Sequence, residues 1–175
     1  NRCRRQRQMC IRDSNYTNCM IGYHAIPVIA DAYVKGIRDY DIEEAMDAMI
    51  YSANLDSEGL EYYKAKGFIA ASDEPESVSK TLEYAYDDWC IAMMADSLGR
   101  YDVANYFYQR GQYYKNVYDP STGFFRAKIN NNWFRPFVPD EVNFNYTEAN
   151  AWQYSIFTPQ DLSLIHISEP TRHTR

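Results

Sequence analysis

Histidine is nearly absent from this 175-residue chain: there are three, and only His24 lies away from the two ends. A zinc site built on several histidines is therefore excluded from the interior of the sequence. Cysteine is scarce as well, with Cys3, Cys10, Cys19 and Cys90 far apart. Once the first two are set aside with the N-terminal tail, two cysteines in apolar surroundings make no disulfide framework and read as buried free thiols. No apolar run approaches the roughly 18 residues that a membrane-spanning helix needs, so no membrane span is expected. Basic residues are outnumbered, 18 Lys plus Arg against 24 Asp plus Glu, for a net charge of -6.

The basic residues are also unevenly placed. Residues 4–14, RRQRQMCIRDS, and 162–172, LSLIHISEPTR, can each be back-translated into one of a pair of common transposon-based sequencing adapters. The match has an internal check, because codons written for Met9 to Ser14 are the reverse complement of those for Leu162 into Ile167. Segments of technical origin stand outside fold reasoning, so residues 1–14 and 162–175 are expected to be non-native tails around a native segment 15–161. Setting aside seven arginines and two acids (Asp13, Glu169) leaves 11 basic against 22 acidic residues, a net charge of -11. A nucleic-acid partner is disfavoured at that balance, since phosphate binding is driven by Lys and Arg.

What is there in quantity is aromatic: 17 Tyr, 8 Phe and 3 Trp. Rings of this kind suit a saccharide cleft or a core of packed helices equally. Periodicity favours helices. AIPVIADAYVKGI, residues 25–37, is apolar around most of its circumference with Pro27 in a first-turn position. Asp41 stands three residues before Glu44, a capping-box arrangement opening a second helix that ends near Asn54. Residues 55–72 read as a long connection. The acids and proline of DEPE at 73–76 favour a helix start, and the longest helix then runs to Gly99. Asp102 opens another helix reaching Tyr118; a small hairpin spans FFRAKI, three asparagines and WFRPF; and Thr147 or Asn145 caps a final helix, EANAWQYSIF, stopped by Pro159. An all-α array of helical hairpins with one inserted β-hairpin follows.

Three segments carry side chains suited to chemistry. His24 sits on a GYH turn just before the first helix. Glu83, Asp87 and Asp88 crowd one and a half turns of ESVSKTLEYAYDDWC beside Trp89; Glu83 and Asp87, four apart, share a face where like charges repel by a few tenths of a kcal/mol. A helix that keeps such a pair faces solvent or uses it. In NFNYTEANAWQYSIF, Glu148 adjoins Asn150, Trp152 and Gln153. A carboxyl beside amides that bind hydroxyls, and beside rings that remove water, suits a general acid, which must stay protonated at working pH. A carboxylate that only caps its helix would look similar.

The motifs GYHAIPVIADAYVKG, ESVSKTLEYAYDDWCIA and YTEANAWQYSIF, in this order and spacing, resemble glycoside hydrolase family 92, the calcium-dependent exo-acting α-mannosidases. The resemblance covers essentially all of residues 15–161. It implies part of an (α/α)6-barrel catalytic domain, an N-terminal β-sandwich domain in the same parent chain, Ca2+ as cofactor, a mannose-containing glycan as substrate, and a periplasmic, cell-surface or secreted location in a bacterium. It also implies Glu148 as general acid of an inverting exo-α-mannosidase, acting on terminal, α-1,2 linkages. His24, Glu83, Asp87, Asp88, Trp89, Asn150, Trp152 and Gln153 are the expected substrate-binding residues. The general base and the calcium ligands are expected downstream of this segment, so no metal ligand is assigned and the segment alone is expected to be inactive. Ile156 and Gln160 depart from the family pattern, which has an aromatic and a His there. Two other readings fit the helical pattern: a different (α/α)6 glycosidase, such as a glucosidase or trehalase-like hydrolase, and a non-catalytic helical interaction module.

Overall fold

The computed structural model describes residues 21–162. Both tails, apart from Leu162, and Cys19 lie outside them. The described residues form six helices, one 3-10 segment and four two-residue strands: α1 (Ala25–Val34), α2 (Ile42–Ser52), α3 (Leu60–Lys66), α4 (Ser77–Ser97), α5 (Tyr101–Arg110), the 3-10 segment Tyr113–Val117, β1 (Tyr118–Asp119), β2 (Phe124–Phe125), β3 (Lys128–Ile129), β4 (Asn132–Trp133) and α6 (Ala151–Tyr154).

The spine is α4, 21 residues long and buried around nearly its whole circumference. On one side Cys90, Ile91, Met94 and Ala95 pack against Ile26, Ala30 and Tyr33 of α1, Met46 and Met49 of α2 and Phe107 of α5. On the other, Val78, Leu82 and Ala85 meet Tyr114, Val117, Phe125, Tyr146 and Ala151. Gly99, at φ 75, closes the α4–α5 hairpin with the left-handed turn that glycine adopts without steric cost. The free thiol of Cys90 is buried in the first cluster, and burial pushes its pKa up to about 12. Layers of antiparallel helical hairpins of this kind are part of an (α/α)6 barrel.

Several local expectations are corrected. The stretch 55–72 is not one loop, because α3 forms inside it between Gly59 and Gly67, both left-handed. The helix opened by Asp102 does not reach Tyr118. It ends at Arg110 because Gly111 passes under α4, where an added Cβ would lie 3.2 Å from Trp89 Cβ, and the chain tightens into the 3-10 segment. Asn130 and Asn131, at φ 49 and 65, close a tight β3–β4 hairpin; a second antiparallel pair, β1–β2, precedes it. Asp41 does cap α2, accepting from the Glu44 N–H at 2.9 Å.

The acids at 73–76 precede α4 without lying in its first turn. Asp73 pairs with Lys66 and Glu74 with Lys80, while Glu76 takes a left-handed φ of 58. The amides that a helix start leaves without partners are met by the chain just before Glu148. The Glu76 N–H donates to the Phe144 carbonyl at 2.6 Å, and Val78 N–H to that of Asn145 at 3.1 Å. The segment carrying the candidate acid is thereby fastened across the N-terminal end of the spine helix.

Candidate active site

Gly22, Tyr23 and His24 form the turn into α1, and two consecutive carboxylates of α4 hold them. Gly22 has a φ of 85, and the His24 ring folds back over it so closely that a Cβ would lie 2.5 Å from Nε2. Only glycine fits there. The ring lies between the two like charges that the sequence placed four residues apart: Nδ1 meets Asp87 Oδ1 at 2.8 Å, and Nε2 meets Glu83 Oε2 at 3.0 Å. Asp87 also accepts the Tyr23 N–H at 2.9 Å. His24 is pushed up to about 10, chiefly by its hydrogen bond to Asp87 and then by Glu83, against the opposing effect of burial. Burial pushes Asp87 up, and the His24 ring and the Tyr23 amide oppose that. The proton stays on the ring, and the cluster is a carboxylate–imidazolium–carboxylate relay. A cation between Glu83 and Asp87 turns their repulsion into attraction, so this helix uses its carboxylates.

Asp88 points elsewhere. One residue further along α4 is about 100° of rotation, which carries Asp88 into the interior at 0 % exposure. Its Oδ2 accepts from Arg110 Nε at 2.8 Å and from the Tyr63 hydroxyl at 3.1 Å, and its Oδ1 from the Tyr23 hydroxyl at 2.7 Å. Burial pushes it up to about 6; Arg110 and the three hydrogen bonds work against that. Tyr23 also stacks on Tyr84, ring centroids 5.1 Å apart. The structure therefore separates Asp88 from the residues grouped with it: it holds the turn from behind and reaches no ligand. Trp89, about 200° round α4 from Asp87, packs at the edge of the first core cluster and is likewise away from His24.

The other half of the candidate site is the Glu148 segment. Thr147 N–H donates to Ser79 Oγ at 2.9 Å, one helical turn before Glu83. The Tyr146 hydroxyl donates to the Phe125 carbonyl at 2.7 Å. Tyr154 completes the link: burial raises its pKa, and it interacts with Ser79, Thr147 and Glu83. Between the buried Tyr146 and Ala149, Glu148 takes a left-handed φ of 49 and turns its side chain outward, exposed. The expected helix 148–157 is thus corrected to a four-residue α6 capped by Asn150, because Glu148's backbone breaks the helical path two residues earlier. Left-handed backbone at a non-glycine residue persists only where the surroundings enforce it, and it clusters at functional sites.

Asn150 and Gln153 are brought together as a reciprocal capping box. Asn150 N–H donates to Gln153 Oε1 at 2.9 Å, and Gln153 N–H to Asn150 Oδ1 at 3.1 Å. Trp152 is 60 % exposed and stands edge-on to Phe124, leaving a ring face open for stacking. Tyr23, Ser79, Tyr154 and Arg110 were missed by the sequence reading. Tyr23 had a signal in its place beside His24; the others are joined to the site only by the fold. Beside Tyr23 opens a cavity of about 180 Å3, lined by Gly22, Ser57, Glu58, Glu76, Lys80 and Tyr84 among others.

The helical-hairpin scaffold holds a carboxylate–histidine–carboxylate cluster at the middle of its spine helix, and an outward carboxyl with amides and an exposed indole near that helix's start, side chains suited to binding hydroxyls and rings. Comparison with known proteins defines the class. Residues 4–168 match the glycosyl hydrolase family 92 catalytic domain, a span running past both boundaries read from the sequence. An inverting family 92 mannosidase of Bacteroides thetaiotaomicron superimposes with a TM-score of 0.78 at 38% identity, over 85% of this chain and 22% of that one. A family 92 α-mannosidase from the same organism gives 0.78 at 42% identity, over 81% of this chain and 20% of that one. An uncharacterized secreted glycosidase of the fungus Arthroderma benhamiae is 28% identical over 82% of this chain and 24% of its own length. This chain belongs to glycosyl hydrolase family 92. It spans about a fifth to a quarter of the length of these relatives.

Proposed function

We propose that the enzyme containing this chain hydrolyses terminal α-mannosidic linkages of mannose-rich glycans, α-1,2 linkages among them, with inversion, and that Glu148 is its general acid. The observation that carries this reading is the 38% and 42% identity, at TM-scores of 0.78, to two family 92 mannosidases. It favours this reading over a glucosidase, a trehalase-like hydrolase or an interaction module. Residues 15–161 are taken as the native segment. The secreted fungal relative supports a place outside the cytoplasm, whether periplasmic, cell-surface or secreted; no helix among the described residues is long and apolar enough to cross a membrane.

In this reading Glu148 gives its proton to the glycosidic oxygen as the bond to the anomeric carbon breaks. A water attacks that carbon from the opposite face and passes its own proton to a second carboxylate, roughly 6.5–9.5 Å from the acid in inverting enzymes. That base lies outside this segment. Trp152 stacks on a sugar ring, and Glu83 with His24 binds hydroxyls.

Calcium fits the reading as a hard cation that sugar hydroxyls can ligate, but the residues here do not form its site. Among the described residues no group of three or more His, Cys, Asp or Glu side chains could hold a metal ion, and the oxygens of Asp87 and Asp88 are engaged by hydrogen bonds. We take the ligands to lie in the rest of the enzyme. Glu148→Gln in the full-length enzyme tests the assignment. It keeps the shape and removes the transferable proton, so kcat on oligosaccharide mannosides should fall by about 10²-fold or more; an unchanged rate rejects Glu148 as the acid. Chelation by EDTA should abolish mannoside hydrolysis, and retained activity rejects the calcium requirement.

A further inference from the structure

Asp87 is the carboxylate of the relay that no ligand reaches: its side chain is 0 % exposed, against 38 % for His24 and 12 % for Glu83. Its Oδ2 accepts from the Tyr23 N–H at 2.9 Å and its Oδ1 meets His24 Nδ1 at 2.8 Å. That contact decides which ring nitrogen faces outward. It is Nε2, 3.0 Å from Glu83 Oε2. A ring protonated on both nitrogens donates to both carboxylates.

We propose that Asp87 is a positioning residue that acts through His24, fixing the direction of Glu83 as the hydrogen-bond acceptor for a hydroxyl of the bound sugar. What Glu83 faces rests on the glycosidase reading; the relay itself does not. The groups around the ring agree in sign. Glu83 and Asp87 of α4 flank it directly. Tyr86 of α4 lies within electrostatic reach of Asp87 and of Asp31 from α1, and Tyr154 of α6 within reach of Glu83. Arg110 of α5 is engaged by Asp88, and Lys80 of α4 by Glu58 and Glu74. The other donor to Asp87 is the Tyr23 N–H, which takes Oδ2 and leaves Oδ1 to the ring. Loss of Asp87 removes the largest influence that raises the ring's pKa, leaves only Glu83 to raise it, and frees the ring to turn either nitrogen to Glu83. Glu83 then loses its fixed direction.

The test uses the full-length enzyme with 13Cε1-labelled histidine, the His24 signal being identified by its loss in His24→Gln. The wild-type ring is expected to stay an imidazolium until the pH approaches 10. In Asp87→Asn its midpoint should fall to between about pH 6 and 8, with KM for a mannoside raised about tenfold and kcat within about twofold, the pattern of lost uniform binding. Glu83→Gln, on the more exposed side, should lower the midpoint less, and it carries the comparison if Asp87→Asn does not fold. A wild-type midpoint near 6.5, or an Asp87→Asn enzyme with unchanged titration and KM, overturns the proposal. A titration as expected in an enzyme that turns over no mannoside leaves Asp87 in place and removes the glycosidase reading instead.

Discussion

Arg110→Met is the perturbation whose cost the structure fixes best. Arg110 and Asp88 are 1 % and 0 % exposed and 2.8 Å apart. The guanidinium also donates to the Ala53 carbonyl at 3.0 Å and lies over the Phe107 ring, 4.9 Å from its centroid. Methionine keeps most of the volume and the ring contact but leaves the Asp88 carboxylate buried with two tyrosine hydroxyls as its partners. Breaking a buried pair from one side costs about 3–5 kcal/mol. With a urea m-value of about 2 kcal/mol/M, the unfolding midpoint should drop by about 2 M. The double variant Asp88→Leu/Arg110→Met should recover much of that, because both charges go together and a well-packed apolar pair is often neutral by comparison. Urea unfolding followed by circular dichroism, run as a double-mutant cycle, measures the coupling. A single-variant loss below about 1 kcal/mol, the size of an exposed pair, would refute the claim that this pair anchors the GYH turn from the interior.

Three further outcomes follow from the same geometry. Because the His24 pKa is raised from 6.5 to about 10 in the folded state, its stabilising contribution is full below pH 6.5 and is lost as the pH rises through 10; discounted for its 38 % exposure, that loss is about 1–2 kcal/mol. Thermal or urea unfolding at intervals from pH 6 to 10.5 should show it, and His24→Gln should flatten the curve. Gly22→Ala, forced to a positive φ with its Cβ on the His24 ring, should cost about 1–3 kcal/mol and bring the His24 titration midpoint down, both measurable on the purified variant. Asn150→Ala removes the capping box of α6 and should cost about 1 kcal/mol in the same unfolding assay.

Much of the scaffold is legible from local patterns. Asp41 capping α2 and Gly99 ending α4 show in the sequence because each element's start or stop is decided by its own residues. The breaks at Gly111 and Glu148 do not show. Gly111 is set by the approach of Trp89, and Glu148's backbone by what Tyr146 and Thr147 bind, all of it distant in sequence. The site divides the same way. The spacing of Glu83 and Asp87 announces a paired use, but the cation between them comes from 63 residues away. Adjacency misleads at Asp88, which shares a motif with Asp87 and lies on a different face.

The way Tyr23 and His24 are held has one more consequence. Two consecutive residues of a turn engage two consecutive residues of a helix, His24 with Asp87 and Tyr23 with Asp88. The two pairs test different things: a small ring that needs a charge on each nitrogen, and a long phenol that reaches an interior already holding Arg110. A slip of the turn by one residue would offer the phenol to Asp87 and the glycine to Asp88, satisfying neither. The double contact therefore works as a register gauge between the first and fourth helices. A lengthened or shortened turn before α1 would disable the relay even with every named side chain still present.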